Sequence, residues 1–112
     1  MPHTFYRCDW AHRPNSDPVV IFYDVDEAGD VPRIIDVFGD GRGIAQSLAD
    51  YAGPENELAG INSFVEGSFF DAIKGMPIGA PDPTSDGSVT LLVVSGAEFE
   101  DTWRQHRKVQ IP

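Results

Sequence analysis

Residues 89–108 constrain the fold more than any other stretch, because an apolar run (Val89, Leu91, Leu92, Val93, Val94) passes without a linker into a complete helix-start signal. Ser95 stands at the N-cap and Glu98 follows three residues later. This is the capping-box spacing, in which the serine hydroxyl accepts the Glu98 N–H and the glutamate reaches back to the Ser95 N–H. Val94 and Phe99 take the two positions of a hydrophobic staple. The pattern predicts a helix over residues 96–108 with Phe99, Trp103 and His106 on one aromatic stripe and Glu100, Asp101, Arg104 and Arg107 turned elsewhere. Acids at its start and Arg104, Arg107 and Lys108 at its end both complement the helix dipole. Such a strand and helix need a surface to cover, and the earlier chain must provide it.

Four further strands are predicted. Residues 4–10 alternate, with Tyr6, Cys8 and Trp10 on one face and Phe5, Arg7 and Asp9 on the other, and the Trp10 face is assigned to the core. After the turn cluster at residues 14–18, residues 19–23 are apolar on both faces, which marks a central strand. Residues 24–32 carry four acids around Gly29 and end in a proline, as an acidic connecting loop would. Residues 33–38 form the third strand, Gly39, Asp40 and Gly41 a hairpin turn, and residues 42–48 the fourth strand. Residues 50–88 hold six glycines and four prolines and read as a long loop region. Within it Ser68 and Asp71 resemble a helix start, with Phe69, Phe70 and Ile73 to pin one turn to the core; residues 80–87 are the expected mobile loop. The sum is an α+β fold in one domain spanning residues 1–112: an antiparallel sheet of four to five strands, the C-terminal helix packed on one face, and Trp10 meeting Trp103 in the core.

Charge narrows the function. Eighteen acids against eight Lys and Arg give a formal net charge of −10, so direct nucleic-acid binding, which needs a basic stripe, is not expected. Nine acids against Arg33 and Arg42 fall within residues 24–57, a local balance of −7. That excess either solubilises the protein or attracts a basic partner. The single cysteine, Cys8, cannot form an internal disulfide, and no apolar run approaches the ~18 residues of a membrane span. With no signal-peptide pattern at the N-terminus, a soluble cytoplasmic protein is expected.

Candidate chemistry is sparse. Asp24, Asp26 and Asp30 resemble part of a calcium loop, but Ala28 and Ile35 stand where ligands are needed, so no metal is expected. The glycines around Asp40 join strands rather than opening a helix, which favours a hairpin over a phosphate cradle. His12, near Asp9 and Asp17, is the histidine most open to a general-base role, although nothing sets a nucleophile beside it. Cys8, on the presumed core face, reads as an inert buried thiol.

Taken together, Trp10-Ala11-His12, Asp17-Pro18-Val19 leading to Ile21-Phe22-Tyr23, Arg33 to Phe38 with Asp40-Gly41-Arg42, and Glu98-Phe99-Glu100 with Trp103 resemble an uncharacterised family of small bacterial α+β domains. The likeness covers both ends of the chain and weakens over residues 50–88. It implies a compact α+β unit of the kind found among toxin-immunity proteins, and it brings no catalytic residue. The expected function is therefore that of a non-catalytic immunity or inhibitor protein, without a cofactor, that binds a basic toxin such as a nuclease. Asp24, Asp26, Glu27, Asp30, Asp36 and Asp40 are the contact candidates. The alternative is a small enzyme or ligand-binding domain with a pocket near Trp10, His12 and Arg42.

Overall fold

A computed structural model describes residues 3–10, 19–48, 65, 67–80 and 89–107. The fold is α+β: five strands, β1 (Thr4–Trp10), β2 (Val20–Val25), β3 (Arg33–Val37), β4 (Gly43–Ser47) and β5 (Val89–Val94), with α1 (Phe69–Ala72) and the C-terminal α2 (Gly96–Arg107). They build one antiparallel sheet in the order β4-β3-β2-β1-β5. The strand apolar on both faces, β2, is the middle one. It extends to Val25, two residues past the expected end, because its last residues still pair with β1 and β3.

Both faces of the sheet are covered. On one, Phe5, Val20, Phe22, Ile35, Val37, Ala45 and Val94 pack against Phe99 and Trp103 of α2. On the other, Tyr6, Cys8, Tyr23, Val25, Ile34 and Leu91 pack against Val31, Phe69, Ile73 and Met76. Each face is keyed by one phenylalanine. Phe99 from α2 lies 5.0 Å from Phe5 and 6.5 Å from Phe22, ring centre to ring centre. Phe69 from α1 lies 5.0 Å from Tyr6 and 4.9 Å from Tyr23, which are cross-strand neighbours. Offset and tilted contacts of this kind add ~1 kcal/mol beyond the area they bury.

The expected meeting of Trp10 with Trp103 does not occur. Strand alternation sets Trp10 on the Tyr6 and Cys8 face, at the end of β1 and 37% exposed, whereas Trp103 stacks on Phe99 against the opposite face. The helix crosses the Phe5 face, not the one assigned to the core from sequence.

The helix start is built largely as its sequence implies. The Glu98 N–H donates to Ser95 Oγ at 3.0 Å, and Val94 packs with Phe99 in the same cluster. Gly96 lets α2 begin against β1, since a Cβ there would lie 3.2 Å from the Phe5 ring. On the other face, the first N–H of α1 donates to the Gly29 carbonyl at 2.8 Å, so the β2–β3 turn satisfies a group the short helix leaves open. Gly29, at φ 91°, sits against the Ser68 hydroxyl. Beyond α1 the chain lies along the outer side of β5, where Ile78 forms a parallel bridge with Leu91 and the Gly79 N–H donates to the Leu91 carbonyl at 2.7 Å.

Phe99 is fully buried and Trp103 only partly so. Phe99→Ala should therefore cost about 3–5 kcal/mol, the range for large aromatics in cores, and Trp103→Ala clearly less. Urea unfolding followed by circular dichroism checks the order of the two.

Candidate functional site

The six candidate acids do not form one surface. Asp24 lies in β2, not in a loop, and is 2% exposed. Its Oδ2 accepts Arg33 Nε at 2.7 Å, and its other oxygen meets the His3 ring. Arg33, opposite Asp24 in register, extends its fork to Glu100 of α2 at 2.6 and 3.1 Å, and its guanidinium lies 4.8 Å from the Phe99 ring centre and 5.0 Å from that of Trp103. Burial alone would lower the Arg33 pKa, but hydrogen bonds to Glu100 and Asp24 outweigh it and hold the group firmly charged. The same fork keeps the Glu100 carboxyl below its usual range. Asp24 therefore spends its charge inside the molecule and drops out of the contact set. Reading residues 24–32 as loop hid this, since the strand register is what pairs it with Arg33.

Asp26, Glu27 and Asp30 occupy the β2–β3 turn. Asp26 Oδ1 accepts the N–H groups of Ala28 at 2.9 Å and Asp30 at 3.0 Å, so it shapes the turn. Glu27 is exposed, and α1, with exposed Asp71, docks on the same turn. Among the described residues no group of three His, Cys, Asp or Glu side chains could hold a metal ion. Asp50, Glu55 and Glu57 lie outside the described residues.

Asp36 shares the sheet face of Ile34, opposite α2, and is half-buried; burial raises its carboxyl pKa. Asp40 stands at the other end of the sheet from Asp26, in the β3–β4 hairpin. There the Phe38 N–H donates to the Arg42 carbonyl at 2.8 Å and Gly41 takes φ 92°, a hairpin turn as its sequence implies. Asp40 Oδ1 accepts the Arg42 backbone N–H at 3.0 Å and Oδ2 accepts Arg42 Nε at 2.7 Å. The backbone bond first, and the guanidinium after it, hold the Asp40 carboxyl below its usual range.

Beside this hairpin opens a cleft of about 310 Å³ lined by Phe38, Gly41, Arg42, Gly43, Ile44 and His106. Arg42 stacks over Phe38 at 5.0 Å. His106, 8% exposed, enters from the last turn of α2 and lies flat on Gly43, where a Cβ would come within 2.1 Å of its Nδ1. Of the expected pocket residues only Arg42 lines this cleft. Trp10 ends β1, two strands away from β3, and His12 lies outside the described residues. Sequence reasoning placed His106 on the apolar stripe but could not see that Gly43 brings it to the hairpin. At Cys8, burial and then Asp9 push the thiol pKa up, which makes it a poor nucleophile.

Among the described residues no helix is long and apolar enough to cross a membrane. Comparison with family models, with curated proteins and with solved structures found no match.

The raised pKa of Asp36 has a definite sign. The folded state holds the Asp36 proton more tightly than the unfolded chain does, so stability falls as pH rises through the carboxylate range. Asp36→Asn should raise the melting temperature at pH 7 and lose that advantage near pH ~3, where the carboxyl is protonated in both states. Calorimetry of both proteins across this range checks it.

Proposed function

We propose that the protein is a non-catalytic binding protein that engages a basic protein partner through the acidic end of its sheet, at Asp26, Glu27 and Asp30. Its resemblance to small bacterial domains points the same way, to an immunity protein that neutralises a toxin such as a nuclease. The observation that carries this reading is the internal use of positive charge. Arg7 pairs with Asp9, Arg33 with Asp24 and Glu100, Arg42 with Asp40, and Arg104 with Asp101. These four arginines are each taken up by an acid of the chain itself, and the β2–β3 turn holds three further acids, Asp26, Glu27 and Asp30, within five residues.

A nuclease carries positive charge where it holds phosphate. An acidic inhibitor exploits that field twice, steering the encounter and occluding the site. Asp40 lies at the opposite end of the sheet and would contact a partner only outside this patch.

The test is kinetic. With a co-encoded basic protein as ligand, the double variant Glu27→Lys, Asp30→Lys, which spares the turn-shaping Asp26, should lower the association rate by about tenfold or more, and added salt should reduce the difference. An unchanged association rate at low ionic strength would show that these acids only solubilise the protein. The exchange leaves the part-buried Asp24–Arg33–Glu100 bridge in place, and the circular dichroism spectrum tests folding separately.

A further inference from the structure

We infer that the cleft between the β3–β4 hairpin and the end of α2 is a binding site for a small organic carboxylate with an apolar body, held by Arg42 and His106. This inference stands apart from the acidic-surface reading and uses none of its residues.

His106 provides the first observation. It is nine-tenths buried, yet among the described residues its ring makes no hydrogen bond, and it lines an open cleft. Its nitrogens are not sealed from solvent, since among the described residues no buried side-chain nitrogen or oxygen lacks a partner, and the cleft that His106 lines is where a ligand can reach the ring. In either neutral tautomer the ring offers one N–H donor, and when protonated it offers two.

Arg42 provides the second. Asp40 uses one oxygen on the Arg42 backbone N–H and the other on Nε. The terminal amines of the guanidinium make no hydrogen bond among the described residues, and stacking on Phe38 fixes the plane of the group. Asp40 therefore acts as a positioning carboxylate: it orients the fork without occupying the end of it. A fork turned in this way suits the two oxygens of a carboxylate.

The rest of the lining selects the body of the ligand. The Phe38 ring and Ile44, 41% exposed, offer apolar contact, and Gly41, with open space where a side chain would stand, lets it approach the backbone. The volume, about 310 Å³, lies at the lower end of ligand pockets and matches a small molecule. A single negative charge is favoured over a phosphate dianion because Arg42 is the one arginine lining the cleft among the described residues and the protein as a whole is strongly acidic.

Sodium benzoate, isovalerate and, as the neutral control, benzamide are titrated into the full chain while the ring resonances of His106 and the side-chain N–H of Arg42 are followed by NMR. The carboxylates should shift both sets saturably, and benzamide should not. Arg42→Gln, at an exposed position, should weaken benzoate binding by tenfold or more while leaving the backbone spectrum otherwise intact. Gly43→Ala, which displaces the His106 ring, should weaken it as well. Absence of saturable shifts with either acid, or binding unaffected by Arg42→Gln, overturns the assignment. A short peptide with a free C-terminus and its amidated form complete the set. Binding of the free-ended peptide with no response to the small acids would transfer the site to a polypeptide terminus and refute the proposal as stated.

Discussion

A middle strand that is apolar on both sides leaves a sheet no face to give to water. Phe22 and Ile35 point one way and Tyr23 and Ile34 the other, so the chain needs two covers and has only one full-length helix among its described residues. The structure answers with unequal partners. The twelve residues of α2 cover one side, and on the other a four-residue turn of helix acts with Val31 and the segment that follows it. What makes so short a helix sufficient is Phe69, which lies against two tyrosines on neighbouring strands, and the carbonyl of Gly29, which receives the first N–H of the helix. The β2–β3 turn is therefore both the support for α1 and the segment that displays Asp26, Glu27 and Asp30.

Arg33 ties the sheet to α2 by a different physics. A cation with a flat apolar face can stand on Phe99 and Trp103 while its edges bond carboxylates on β2 and on the helix. Ion pairs this sheltered contribute little net stability over apolar packing, but removing one member leaves the others without a partner. The bridge accordingly acts more as a specification of where α2 sits than as a source of free energy. It also explains why Asp24, the first acid of the sequence cluster, is absent from the surface.

Local signals carried much of the fold. The alternation in β1, the two-sided run in β2, the glycines of the β3–β4 hairpin and the cap at Ser95 each depend on neighbours within a few residues, and each is found where the sequence implies it. The errors lie where two separate segments must be brought together. One-faced reasoning placed Trp10 and Trp103 in one core, although alternation alone cannot say which face a helix will take. The burial of Asp24 depends on its register with Arg33, and the His106 cleft depends on Gly43 being bare enough to admit a ring from a helix that begins more than fifty residues later. No spacing rule within α2 or within β4 contains that contact, so the candidate site was legible only as isolated residues.

The segment at Ile78 and Gly79 bears on how the sheet ends. An outer strand shows a row of unmet donors and acceptors to any passing chain, and Val93 on β5, 55% exposed, would make that row more adhesive. By taking the Leu91 carbonyl, the Gly79 N–H interrupts the row midway, and the parallel direction of the bridge is a register that an added antiparallel strand cannot continue. A glycine in a loop thus helps keep each molecule from templating the next.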